Sequence, residues 1–260
     1  MLPTSRSSRS SSATPPLSGG NFPRLGGGGM KTLLRRMGRL PQMDFELAIW
    51  QLCYLCIAPR RVYRNVYYHR QTKNTWARDD PALLLLITLC LIVSALLWSL
   101  LSAPSPSLGF TLRTILSFVF LHFFLTGLII STALWALSNK FLTHATHMHA
   151  TDQKVEWPYA FDIHANAFFP FFLVLYVAQL VLAPVVTRSN WVSLWVGNTL
   201  YLAAFVQYTY VTYLGYNALP FVQRSELLLF PIVLIVAFYV VSLLGLNLSH
   251  VVLEGLGLGG

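Results

Sequence analysis

"ALLLLITLCLIVSALLWSLL", residues 82–101, runs for twenty residues without a formal charge. At 1.5 Å per residue, a helix of that length covers about 30 Å, the hydrocarbon thickness of a bilayer. Directly before it stands "VYRNVYYHRQTKNTWARDDP", residues 62–81, with Arg64, Arg70, Lys73 and Arg78, several aromatic rings, and then Asp79 and Asp80. Asp80 followed by Pro81 marks a helix start, with a capping acceptor and then a residue suited to the first turn. The two carboxylates also complement the positive end of the helix dipole.

The rest of the chain agrees with a membrane reading. Of its 260 residues 55% are hydrophobic and 10% charged, against about 25% charged in soluble domains. Four more segments have the length and apolarity to cross a bilayer, near 114–137, 165–183, 191–214 and 227–246. The links between them are short, so neighbours run antiparallel. Pro170 and Pro231 are placed in the first turns of the third and fifth spans, where a missing N–H costs least. The expected fold is all-α: a polytopic integral membrane protein, a five-span helical bundle with a cytosolic juxtamembrane helix.

Charge sets the orientation. Residues 1–80 hold 13 Lys and Arg against 4 Asp and Glu, whereas residues 81–260 hold 5 of each. With five spans, the amino terminus shares a side with Lys140, Lys154 and Arg224, giving 16 basic residues there against 2, Arg113 and Arg188, opposite. The basic side faces the cytosol, so the amino terminus is expected to be cytosolic and the carboxyl terminus lumenal.

Outside the spans, residues 1–29 are rich in Ser, Gly and Pro and are expected to be a disordered tail without a signal peptide. Residues 30–81 form a cytosolic basic–aromatic segment containing "MDFELAIWQLCYLCIA", 43–58. As a helix this has two apolar faces, one with Phe45, Ile49, Leu52 and Cys56, the other with Leu47, Trp50, Tyr54 and Ile57. It is expected to lie at the bilayer surface against more protein, with a sixth short span as the alternative. Residues 247–260 read as a short lumenal tail. Cys53, Cys56 and Cys90 give no disulfide framework or zinc tetrahedron, and the first two read as reduced, helix-packing thiols.

Candidate sites are few. Arg60, Arg61, Arg64, Arg70, Lys73, Trp76 and Arg78 form a candidate cytosolic interaction surface, able to meet anionic headgroups, a protein or, as a weaker alternative, RNA. His144, His147, His149 and His164 are zinc-like in type, but their spacing matches no regular motif, so neither metal nor other cofactor is assigned. Asn198, Tyr201, Phe205, Tyr208 and Thr212 recur at helical spacing as a polar stripe on the fourth span. This reads as hydrogen bonding within the bundle, with a groove for lipid or small solute as the alternative. No catalytic motif and no intramembrane carboxylate is present, so no enzymatic activity is expected.

Six blocks, "QMDFELAIWQLCYLCIAPRRVYRN", "RQTKNTWARDDPA", "SNKFL", "VEWPYAFDIHANAFFP", "VGNTL" and "YVTYLGYNALPF", together resemble the Unc-fifty (Gmh) family of Golgi membrane proteins over roughly residues 40–250. The resemblance implies a five-span protein of the Golgi and early secretory route with a cytosolic amino terminus. It further implies recruitment of a large Arf guanine-nucleotide exchange factor and surface expression of a subset of nicotinic acetylcholine receptors. RNA binding and an inner nuclear membrane location are lesser implications of the same resemblance.

Overall fold

The computed structural model describes residues 43–65, 76–78, 80–102, 106–143, 154–188 and 190–257, all but isolated positions of which are helical or in short turns. The expected disordered stretch 1–29 lies outside these residues, as do Arg70, Lys73, His144, His147 and His149. Seven principal helices follow in order: α1 Phe45–Ile57, α2 Ala82–Ser102, α3 Leu108–Leu142, α4 Trp157–Val181, α5 Trp191–Asn217, α6 Ser225–Ser242 and α7 Leu248–Gly255.

Among the described residues four helices, α2, α3, α4 and α6, are long and apolar enough to cross a membrane. The fourth of the five expected spans, α5, is not among them. At 27 residues its length is ample, but Asn198, Gln207, five tyrosines and three threonines lower its apolarity. Most of these polar groups turn toward neighbouring helices, so the helix is polar in composition yet sits inside the bundle.

α4 is the centre. It packs against α1, α3 and α5, and 61% of its most apolar stretch is buried, against 17% in α6. Close approach of α3 to α4 depends on Gly127: a Cβ there would lie 2.6 Å from the His164 ring. One turn on, Ser131 is buried and donates to the Ala160 carbonyl at 3.3 Å. Gly215 plays the same part between α5 and α4, where a Cβ would lie 2.7 Å from Ile163.

Three helical stretches are wound as π-helix: Ser117–Leu125 and Ser138–Leu142 in α3, and Leu173–Ala178 in α4. The last follows Pro170, which lies inside α4 rather than in a first turn, because the helix begins as early as Trp157. Pro158 takes the first-turn place instead.

Helix starts are capped as polar side chains allow. Ser107 accepts from the Phe110 amide, Asn190 from Ser193 and Asn247 from His250. Asp80 accepts from the Ala82 amide at 3.1 Å with one oxygen and from the Asp44 amide at 2.8 Å with the other. The start of α2 and the start of α1 are therefore held by one carboxylate.

The ends of α6 are tied by side chains. Asn198 of α5 donates to Ser242 at 2.9 Å, and Ser225 donates to Asn217 at 2.9 Å. Between them Val233, Leu234, Val236 and Phe238 are exposed. α7 folds back against the start of α5, where a Cβ on Gly197 would meet Ser249 at 2.5 Å.

Candidate functional site

Asp162 and Asn166 stand one turn apart on α4, facing the segment that enters α2. The Arg78 amide donates to Asp162 at 2.7 Å, and its guanidinium donates to the Asn166 carbonyl oxygen at 3.0 Å. Gln51 of α1 donates to that same oxygen at 3.1 Å. A single amide on α4 thus gathers α1 and the juxtamembrane segment. Tyr63 is buried beside it, its hydroxyl facing Asn166 without a bond of good geometry, and burial pushes its phenol well above the usual range.

Trp76 is also drawn in. Its indole is 7% exposed and packs near the rings of Tyr159 and Phe221, in a small apolar cluster with Leu142, Tyr216 and Leu228. That cluster joins the juxtamembrane segment to the links after α3 and α5, which meet each other through a Thr143–Val222 bridge. Trp76 and Arg78 therefore belong to the interior of this end of the molecule.

Arg60, Arg61 and Arg64 remain exposed. Arg60 donates to the Tyr210 hydroxyl at 2.9 Å, and the Arg61 guanidinium lies 5.7 Å from the centre of the Tyr54 ring. α1 turns Ala48, Leu52 and Leu55 to the bundle and leaves Leu47, Ile49, Trp50 and Ile57 outward. Of the first expected apolar face only Leu52 is fully buried; the contact stripe is rotated to run between the two. Cys53 and Cys56 lie on the exposed side with free thiols. Burial of the inner side of Cys56, with Cys53 beside it, pushes its thiol up to about 11.

The polar stripe of α5 divides by depth. Asn198 bonds Ser242, the Leu246 carbonyl and the Leu248 amide. Tyr201, Phe205 and Tyr208 line a cavity of about 340 Å³ between α3, α4, α5 and α7. Thr212 is buried, with its hydroxyl unpaired. His164 also lines the cavity and engages both ring nitrogens, one with the Tyr208 hydroxyl at 2.8 Å and one with the Phe123 carbonyl at 3.3 Å. Among the described residues no three His, Cys, Asp or Glu side chains come together as metal ligands.

The residues that organise this end, Gln51, Tyr63, Asp162 and Asn166, escaped sequence reasoning as a group. A signal was present: Asp162 and Asn166 are polar residues at helical spacing in a mostly apolar helix.

The sequence that builds this arrangement has relatives. Residues 33–256 match the family described as the UNC-50 family. This chain belongs to the UNC-50 family. "Protein unc-50 homolog" of Dictyostelium discoideum is 43% identical over 216 residues, covering 83% of this chain and 82% of the relative. "Protein GMH1 homolog" of Schizosaccharomyces pombe is 42% identical over 220 residues, 84% of this chain and 93% of the relative. "Protein unc-50 homolog" of Homo sapiens is 43% identical over 221 residues, 84% of this chain and 83% of the relative. No solved structure matches. The UNC-50 match takes in the Asn166 hub, the cavity and α7 alike, and it is the family to which the six sequence blocks pointed.

Proposed function

We propose that this UNC-50 protein is a non-enzymatic adaptor of Golgi and early secretory membranes. Its α1 end is cytosolic and holds a large Arf guanine-nucleotide exchange factor at the bilayer, with surface expression of nicotinic acetylcholine receptor subunits an indirect outcome. The observation that carries the reading is the outward face of α1. Leu47, Ile49, Trp50 and Ile57 are exposed beside exposed Arg61 and Arg64, and the hub at Asn166 holds that helix in a fixed place. Partner interfaces concentrate energy in a few Trp, Tyr and Arg side chains. Basic residues at the same level also meet anionic headgroups, which keeps the surface near the leaflet.

The test is Arg61→Glu with Arg64→Glu in the full-length protein. Neither side chain belongs to the hub, so the bundle and Golgi residence should be unchanged. Exchange-factor recovery with the protein from Golgi membranes should fall about ten-fold, the weight of ~1.4 kcal/mol of binding. Unchanged recovery by a correctly placed variant overturns the adaptor reading. Loss of bound RNA in place of exchange factor would move the surface to the RNA alternative.

A further inference from the structure

The cavity between α3, α4, α5 and α7 is walled by aromatic rings, with Phe168 and Phe171 from α4 and Tyr201, Phe205 and Tyr208 from α5. Its volume of about 340 Å³ is within the range of small-molecule pockets. No Asp, Glu, Lys or Arg lines it. The exposed members of its lining, Phe205 and Val252, mark its mouth. Phe205 lies about 21 Å along α5 from Trp191 and about 18 Å from Asn217, so the mouth opens sideways near mid-depth, whichever way the bundle points. An occupant would enter between the exposed edges of α5 and α7.

One donor inside has no partner. Gln179 is 2% exposed and lines the cavity, and its amide nitrogen makes no hydrogen bond. An unmet N–H in a low-dielectric interior is costly, and the bilayer supplies no water to meet it. The walls around it are also wound unusually. His122 and Tyr176, both lining residues, sit on the π-helical stretches of α3 and α4 and bond each other at 2.7 Å. Such windings recur at functional sites.

We propose that this cavity is a binding site for a neutral membrane amphiphile of the sterol class. The rigid ring body stacks between the aromatic walls, its oxygen accepts from the Gln179 amide, and its aliphatic tail leaves through the mouth beside Phe205. A rigid body loses little conformational freedom on entry, which favours it over a flexible chain. The absence of a charged group in the lining excludes a phosphate headgroup from the interior. This site stands apart from the adaptor surface, so either can fail alone.

The test uses the purified full-length protein in phosphatidylcholine vesicles with a photoactivatable sterol, and a photoactivatable diacylglycerol in parallel. Sterol label should map to peptides around Tyr176, Tyr201 and Phe205 and be competed by excess unlabelled sterol. Gln179→Leu should cut it about five-fold, the weight of one hydrogen bond, while melting as the parent does. Label spread over the bare face of α6, no competition, an unchanged Gln179→Leu, or equal diacylglycerol labelling in the cavity each overturns the proposal. Should Gln179→Leu fail to fold, Val252→Trp, which closes the mouth from the side of α7, takes its place. A folded Val252→Trp labelled like the parent is then the refuting result.

Discussion

Asn166 accepts from Gln51, 115 residues earlier, and from Arg78, 88 residues earlier. Replacing it with Leu leaves a half-buried guanidinium and an amide without their acceptor, a loss of ~1–3 kcal/mol. Gln51→Leu removes only one donor and leaves Arg78 paired, so it should cost less. Thermal melting of the purified protein should rank Asn166→Leu well below Gln51→Leu; equal losses would show that Asn166 is no hub. At this scale the sequence was only half legible. Arg60, Arg61 and Arg64 keep the exposure a basic run suggests, whereas Trp76 and Arg78 belong to the same run and turn inward. What turns them is Tyr159, Asp162, Asn166 and Phe221, far along the chain, and a local pattern of charge and aromatics carries no trace of partners so distant.

Among the elements, the apolar helices were plain to read because twenty uncharged residues leave few alternatives. α5 was read as a span from its length and apolarity yet is not among the helices apolar enough to cross; of its stripe Asn198 and Thr212 are buried, while Phe205 is exposed. The π-helical stretches were invisible, since one added residue per turn leaves no compositional mark. The carboxyl-terminal segment shows the same limit: expected as a tail, residues 248–255 instead form a helix packed on α5. This bears on Asn247-Leu248-Ser249, the sequon at the start of that helix. Ser249 is 0% exposed, and the Asn247 side chain caps the helix and donates to Ser193 at 3.3 Å. The natural protein should therefore carry no glycan there, even with that end in the lumen. A second sequon placed about fifteen residues beyond Gly260, clear of the bilayer, should be modified if the end is lumenal. A mobility shift removed by glycosidase reads both outcomes; a glycan on Asn247 itself would mean that α7 does not stay docked.

For the molecule as a whole, the basic excess at the α1 end predicts its placement. In sealed vesicles from the membranes that carry the protein, protease added to the cytosolic side should remove a tag at the amino terminus and spare one after Gly260. Protection or loss of both would mean an even number of crossings, and α5 or α1 would then have to be reassigned. Within the bundle the crossings are not specified alike. α4 meets protein on most sides, so its side chains answer to particular neighbours. α6 is fastened at Ser225 and Ser242, buries Leu228 and bonds Tyr239 to Thr199 at 3.1 Å, but leaves most of the rest of its surface bare. Val233, Leu234, Val236 and Phe238 can therefore exchange among Leu, Ile, Val and Phe with little consequence, while the two serines cannot. Over evolutionary time α6 would wander in sequence far more than α4, a helix remembered by a few buried points.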